Sequence, residues 1–473
     1  MFRDPRSCVL EKLNGINALR LPLDLDRVLL TSVTGGTTGF AADSKERLVK
    51  LRKNARVAAT LAALVGVTAT VPASAGVLYF DFNDNLNPPN ASLFLFGAAG
   101  QAATVSNLAG FNQNVTLGVD GFFSLAIPSS FQQSGTGVRN TGFRVDSAQA
   151  VAGYFINRAP ATTDMTYLLD SAALDKQYVV ASQGNGFGEG SQVAIHATVD
   201  NTSVTFTPRG GAAITVTLNA GETYKYAGGS TDLTGSFVSA SQNVAVFSGH
   251  NCAQVPAGTS YCDTLLEQAI PTSKLSKEYL LTASKGAELA VGGVDLVRVI
   301  ATQDNTQVFR DGVLVTTLAA GDNFEFRLPA GTGTKVTTSA PAAVAQYLVG
   351  GDGALTDPAY SYVPGSDTWL KEYRLATPDG ASQFDVNYAS LVILTNDLLS
   401  LELDGALVDT SSFSAIAGTS YSRGIVDLPL GLFDLTADSE FLVMLGGGSF
   451  ADSYFTYGGS TFAPGISPPP PPP

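Results

Sequence analysis

The chain has 473 residues, of which 27 are Lys or Arg and 41 are Asp or Glu, so its formal net charge is −14. This balance argues against a nucleic-acid-binding protein, which needs clustered positive charge to displace counterions from phosphates. Because 45% of the residues are apolar and only 14% are charged, the chain can bury a large core and is not disordered. The 49 Gly and 23 Pro indicate many short strands and turns.

A targeting signal is predicted inside the chain. A basic stretch, KLRKNAR, is followed by the apolar run VAATLAALVGVTATV and by the small-residue motif ASA. This order is typical of a secretory signal peptide, here residues 48–75, cut after Ala75. Residues 1–47 then form an N-terminal extension that precedes the true start, the alternative being a genuine N-terminal domain. The apolar run is shorter than the roughly 20 residues that span a bilayer, so we expect no transmembrane segment in the mature chain.

The secreted part is strongly acidic and contains two cysteines. Residues 76–473 hold 16 Lys or Arg and 35 Asp or Glu, a net charge of −19. Cys252 and Cys262 are the two cysteines of this part, and disulfides persist in the extracellular compartment. We therefore predict a bridge between them, worth about 2.7 kcal/mol on the chain-entropy model.

The secreted part contains internal repeats. The motif ATVDNT at 197–202 recurs as ATQDNT at 301–306, and LDKQY at 174–178 recurs as LSKEY at 275–279. Several such markers recur in one order, which predicts about four copies of one unit. The predicted organisation is four repeats and a proline-rich tail, at 76–180, 181–285, 286–380, 381–463 and 464–473.

Within a copy the apolar pattern has a period of two, and the runs are joined by short turns containing Gly, Asn or Asp. This predicts an all-β fold of repeated four-stranded antiparallel meanders. A β-propeller of seven to eight blades is favoured, with tandem β-sandwich domains as the alternative. The opening run VLYFDF at 77–82 is expected to complete the last blade. The six prolines at the end predict a stiff spacer, which suggests a C-terminal anchor or further domain beyond it.

The region around the two cysteines resembles a known family. FSGHNCAQVP at 247–256 and CDTLLEQAIP at 262–271, together with ATVDNT and the stretch LNAGETY, are similar to the IgGFc-binding-type N-terminal domain over roughly residues 90–380. A departure is Thr264, where a histidine is common in the family. The resemblance implies a secreted, non-catalytic binding module, often found on bacterial surfaces. Immunoglobulin binding belongs to the mammalian member and need not carry over.

Few residues could carry chemistry. His196 and His250 are the two histidines of the sequence, so a histidine-rich metal site is excluded, and we expect no catalytic residues. His196 is interpreted as a surface residue of a strand. The candidates for ligand contact are the polar residues of the cysteine region, which are His250, Asn251, Asp263, Glu267 and Gln268. The alternatives are a structural role for His250 in ordering the disulfide loop and a buried, loop-anchoring role for Glu267.

Calcium is the one candidate cofactor. Asp81, Asn83 and Asn85 offer alternating oxygen ligands, as hard cations require. Leu86 replaces the turn glycine of the helix-loop-helix calcium loop, and Ser92 replaces its closing glutamate. A solvated turn is the competing interpretation.

Two classes of function remain. The first is a secreted or cell-surface binding and adhesion module, which engages an extracellular protein or glycan through loops between strands. The second is an extracellular enzyme acting on polysaccharide or peptide. A structural surface-layer protein is a further alternative.

Overall fold

The computed structural model describes residues 76–290, 292–351 and 356–466. The predicted extension, the predicted signal peptide and the prolines of the tail lie outside these residues. The described residues are almost entirely β-strands, with one five-residue helix, α1 (Lys285–Leu289), and short 3-10 turns. Within the described part, each helix is too short or too polar to cross a membrane.

The strands fall into four successive copies. The strands of the first copy are β1 (Gly76–Phe80), β2 (Ala91–Phe96), β3 (Ala102–Asn107), β4 (Asn112–Thr116), β5 (Phe122–Ile127), β6 (Gly137–Arg139), β7 (Phe143–Ser147), β8 (Ala152–Ala159) and β9 (Thr162–Tyr167). Those of the second copy are β10 (Asp175–Val179), β11 (Gly186–Ala197), β12 (Thr202–Thr207), β13 (Ile214–Leu218), β14 (Thr223–Ala227), β15 (Phe237–Ala253) and β16 (Asp263–Gln268).

The third and fourth copies continue the same order. The strands of the third are β17 (Glu278–Thr282), β18 (Val294–Ala301), β19 (Thr306–Arg310), β20 (Val313–Leu318), β21 (Asn323–Pro329), β22 (Gly333–Thr338), β23 (Ala342–Tyr347) and β24 (Tyr360–Tyr362). Those of the fourth are β25 (Leu370–Thr377), β26 (Val386–Leu394), β27 (Glu402–Leu403), β28 (Ala406–Leu407), β29 (Ser414–Ala415), β30 (Tyr421–Asp427), β31 (Gly431–Ser449) and β32 (Asp452–Tyr457).

The first and third copies each build two four-stranded antiparallel sheets, whereas the second and fourth each build one eight-stranded sheet. Strand β6 of the first copy contributes to the sheet of the second by pairing with β14. In the third copy the sheet orders are β17-β22-β19-β20 and β21-β18-β23-β24, and the first copy has the equivalent orders β1-β7-β3-β4 and β5-β2-β8-β9. In the second and fourth copies one long strand, β15 or β31, takes part in both halves of the sheet. The all-β prediction and the antiparallel pairing are confirmed.

The predicted meanders are wrong, and the sheet orders do not show a propeller. Strands β18 and β19 follow one another in the chain but lie in different sheets. Their link contains Asn305 at a φ of 59°, and the Asp304 carboxylate accepts the Ala320 N–H at 2.9 Å. A turn this short carries the chain from one sheet to the other rather than to a neighbouring strand. The orders fit the alternative of tandem sandwich-like units, and Phe80 of one sheet stacks on Phe155 of the other at 4.8 Å.

The opening strand does not complete the last copy. Strand β1 pairs with β7 in the first copy, from Gly76 opposite Ser147 to Phe80 opposite Phe143. The prediction is wrong because it places the LDKQY strand at the end of a copy, which leaves the last copy one strand short. That strand, β10, pairs with β15 and therefore opens the second copy. Strands β10, β17 and β25 thus lie just before the predicted boundaries at 181, 286 and 381.

A tyrosine explains why the opening strand recurs in the sequence. The Tyr178 hydroxyl donates to the Val244 carbonyl at 2.6 Å and accepts the Asp175 N–H at 3.1 Å. Tyr279 and Tyr373 make the equivalent pair of bonds in the third and fourth copies. The tyrosine therefore ties the first strand of a copy to the junction of its two halves.

Candidate functional site

The last strands of the four copies, β9, β16, β24 and β32, pack against one another, and we call them the axial strands. Strand β9 contacts β16 and β32, and β24 contacts the same two strands. The first copy therefore meets the fourth. At this meeting the Tyr167 N–H donates to the Thr456 hydroxyl at 2.9 Å.

One carboxylate joins the four axial strands. Asp164 of β9 is fully buried. Its two oxygens accept backbone N–H groups from every axial strand, namely Met165 at 2.9 Å, Leu266 at 2.9 Å, Tyr360 at 3.2 Å and Phe455 at 3.2 Å. Burial raises the pKa of Asp164 well above its usual value, whereas the four N–H bonds favour the charged form and oppose that rise.

A second buried acid lies beside this carboxylate. The Glu267 Oε1 atom accepts the hydroxyls of Thr166 at 3.2 Å and Thr456 at 3.3 Å. Its Oε2 atom has no hydrogen-bond partner among the described residues. Burial, followed by the charge of Asp164, raises the pKa of Glu267 well above its ordinary value. Such a site favours the protonated, uncharged form of the Glu267 carboxyl.

Three further carboxyls lie at the beginning of the axial strands, and together with Thr162 we call them the axial mouth. These are Asp263, Asp357 and Asp452, all buried. Burial and then the charge of Asp452 raise the pKa of Asp357 to about 8, and burial raises that of Asp452 to about 6. Burial and the charges of Asp357 and Asp452 raise the pKa of Asp263 well above its usual range.

The hydrogen bonds of the axial mouth are incomplete. Both carboxylate oxygens of Asp357, Oδ2 of Asp263 and Oδ1 of Asp452 have no partner among the described residues. Asp452 is balanced in part by Arg158, whose Nη2 atom lies 3.3 Å from Oδ2. Across the described part of the chain, no group of three or more His, Cys, Asp or Glu side chains is arranged to hold a metal ion.

A shallow depression of about 320 Å³ opens outside the axial mouth. The Cys252–Cys262 disulfide is formed, with the two Cα atoms 5.1 Å apart, and it lies in the depression wall. The rim carries exposed apolar side chains from three copies, with Leu86 46% exposed, Tyr261 43% and Phe450 63%. We call this rim and the adjoining loop 254–261 the disulfide face.

The polar residues predicted to contact a ligand do not lie on this face. His250, Asn251, Asp263, Glu267 and Gln268 are all buried. Side chains without accessible surface cannot meet an external macromolecule, so the structure does not support direct ligand contact by these five. Several have partners in the core: His250 Nδ1 accepts the Cys252 N–H at 2.9 Å, and Gln268 Oε1 accepts the Leu169 N–H at 2.8 Å.

The predicted calcium ligands lie at the junction of the first and second copies. Asp81, Asn83 and Asn85 are buried, so the solvated-turn interpretation is wrong. The Asn83 Oδ1 atom accepts a bond from the Lys225 amine at 3.1 Å, and Asn85 Oδ1 accepts the Thr162 hydroxyl at 3.1 Å. These contacts assign none of the three as a metal ligand, and calcium binding stays a prediction.

His196 belongs to the same junction. It is fully buried rather than on the surface, and its Nδ1 atom lies 3.4 Å from Oδ2 of Asp81. The Thr223 hydroxyl donates to Oδ1 of the same aspartate at 2.7 Å. The apolar alternation around His196 suggested an outward side chain, but the face of β11 that it shares is covered by the first copy.

Sequence reasoning found Asp263 but missed Asp357 and Asp452. The three come from different copies, and Asp263 and Asp452 are each the first residue of an axial strand. An alignment of DTLLEQ with DSYFTY would have paired these two. Asp357 precedes β24, whose short length hides the match.

Comparison with known proteins places the chain in a family. The family model described as IgGFc binding protein matches residues 164–447. The human IgGFc-binding protein is 28% identical over 324 residues, which is 64% of this chain and 6% of the human protein. The chain therefore spans a small part of that relative's length.

Solved structures give weaker matches. A Ca²⁺-stabilised adhesin with which an Antarctic bacterium binds ice aligns at 12% identity over 83% of this chain and 98% of its own, with a TM-score of 0.12. A tetra-tandem repeat from the extending region of a large adhesion protein aligns at 13% identity over 79% and 92%, with a TM-score of 0.10. Scores this low carry no argument about fold. Because the family model covers more than half of the chain, the chain belongs to the IgGFc-binding protein family.

Proposed function

We propose that this chain is an extracellular binding and adhesion module that engages a protein or glycan through the disulfide face. The carrying observation is that large apolar side chains from three copies, Leu86, Tyr261 and Phe450, remain exposed around one depression. Membership of a family named for binding supports a non-catalytic role. The predicted signal peptide supports secretion.

The physical argument rests on what exposed aromatic groups do at interfaces. Clustered apolar surface rimmed by polar groups is typical of recognition sites on soluble proteins. Tyrosine and other aromatic side chains supply much of the binding energy at such sites because they bury a large area with few rotatable bonds. Phe187, 56% exposed, is paired with Cys252 in the sheet and is a further exposed aromatic residue of this region.

The face is also held rigidly, which favours binding. The disulfide closes loop 254–261 at its base, and Phe450 lies in the short turn before β32, which begins at the buried axial mouth. A preordered loop loses less conformational entropy when a partner binds. The face can therefore present its side chains without prior folding.

The test is a binding screen of the purified chain against glycan, mucin and immunoglobulin Fc arrays, with and without calcium. We expect saturable binding that Phe450→Ala weakens by about fivefold or more, as loss of an interface hot spot does. The matched control is Leu399→Ala, since Leu399 is 84% exposed in the same copy but away from this face. Catalytic turnover or self-assembly without saturable binding would support the enzyme or the surface-layer alternative instead.

A further inference from the structure

A buried lysine bridges the first two copies. Lys225 of β14 has no exposed surface. Its Nζ atom donates to Oδ1 of Asn83 at 3.1 Å and to Oε1 of Gln192. Asn83 lies just after β1, so the amine of one copy faces a side-chain amide of the other.

The backbone of Asn83 is fixed by hydrogen bonds, but one atom of its side-chain amide lacks a partner among the described residues. Its backbone carbonyl accepts the Asn157 side chain at 2.9 Å, and its backbone forms a bridge with Gln133. Its Nδ2 atom is buried without a hydrogen-bond partner among the described residues. The other amide beside the lysine differs, because Gln192 Nε2 donates to the Asp84 carbonyl at 2.8 Å.

The surroundings favour an uncharged amine. Lys225 has no exposed surface, its amine contacts two side-chain amide oxygens, and removal from water disfavours the charged form of an amine. A neutral amine is a nucleophile, whereas the ammonium form is not.

We propose that Lys225 and Asn83 join in an intramolecular isopeptide bond. The neutral Nζ atom attacks Cγ of Asn83, and a C–N bond forms. One proton passes from Nζ to Nδ2, the bond from Cγ to Nδ2 breaks, and ammonia leaves. The step needs no oxidant, reductant or co-reactant. The product links the first and second copies covalently, independently of the ligand that the disulfide face binds.

The direct test is peptide mapping of the unmutated full chain by mass spectrometry after digestion at Lys and Arg. We expect one branched peptide in which the segment ending at Arg139 is joined to residues 210–274. Its mass should be lower than the summed masses of the two separate segments by one ammonia. The protease will not cut after Lys225, because its amine is acylated. Unbranched peptides in this region, or a branch at Gln192, would overturn the proposal.

Variants at the two linked residues change the mass that is lost or remove the branched peptide. Asn83→Asp is expected to form the same link with loss of water in place of ammonia, and Lys225→Arg is expected to remove the branch. Lys335→Arg, on a lysine that pairs with Glu278 near the surface, is the matched control and should keep it. An ammonia loss that persists in Lys225→Arg would overturn the proposal. If that variant fails to fold, the map of the unmutated chain still decides.

Discussion

The carboxylate of Asp164 accepts the backbone N–H of Phe455 at 3.2 Å, although the first residue belongs to the first copy and the second to the fourth. The same carboxylate accepts N–H groups from the other axial strands. A single side chain therefore holds the last strands of the four copies in register. The first copy meets the fourth through this contact and through the bond from the Tyr167 N–H to Thr456, not through pairing of the opening strand.

Replacement of Asp164 by Ala is expected to destabilise the chain severely. The change leaves four buried N–H groups without an acceptor, and each such group costs about 1–3 kcal/mol. Thermal or denaturant unfolding measures the effect. Asp200→Ala is the matched control, because Asp200 accepts one N–H, that of Ala220, at an exposed position. Equal losses in the two variants would contradict the central role of Asp164.

The free energy of unfolding is expected to fall as the pH rises through the pKa values of the carboxyls in the axial mouth. The pKa of Asp452 is raised to about 6 and that of Asp357 to about 8, from an ordinary value of 3.8. The folded state thus binds these protons more tightly than the unfolded chain does. Their stabilising contribution is complete below about pH 4 and is lost as the pH rises through 6 to 8.

The measurement is the thermal midpoint of the chain and of Asp357→Asn between pH 5 and pH 8.5. The variant is expected to show a smaller decline over this range, because its side chain does not titrate. Identical declines in the two proteins would refute the assignment.

The hydroxyl of the recurring tyrosine is expected to contribute measurably to stability. Tyr279→Phe removes a bond of 2.6 Å to the Ala342 carbonyl and leaves that buried group unsatisfied, at a cost of about 1–3 kcal/mol. Tyr226→Phe keeps the ring contact with Phe206 and serves as the control in an unfolding titration. A control that loses as much as Tyr279→Phe would remove the explanation of the repeat marker.

The disulfide is expected to stabilise the loop that it closes. Replacing Cys252 and Cys262 together by Ser should lower the unfolding free energy by about 2–3 kcal/mol on the chain-entropy model. Thermal melting checks this loss, and a thiol assay of the unmutated protein should find both cysteines oxidised. An unchanged melting temperature together with free thiols would contradict the bridge.

The strand class could be predicted because particular residues perform the same backbone role in several turns and strands. Asn201 and Asn305 both adopt a positive φ in the same turn, and Tyr178 and Tyr279 make the same bonds. Such tasks constrain residue identity strongly. They leave a signal in the sequence alone.

The sheet order could not be predicted, because a short turn looks the same whether it joins neighbouring strands or crosses between sheets. The axial mouth was hidden for a related reason. Asp357 and Asp452 come from copies about a hundred residues apart, and only the packing of the copies brings them beside Asp263. Likewise, the polar side chains of Glu267 and His250 made them candidates for ligand contact, whereas both are buried.

The most direct test of the binding assignment is a titration of the strongest array ligand against the unmutated chain, Phe450→Ala and Leu399→Ala. The account predicts saturable binding that Phe450→Ala weakens by about fivefold or more and that Leu399→Ala leaves unchanged. Equal affinity of the three proteins would contradict a binding site on the disulfide face.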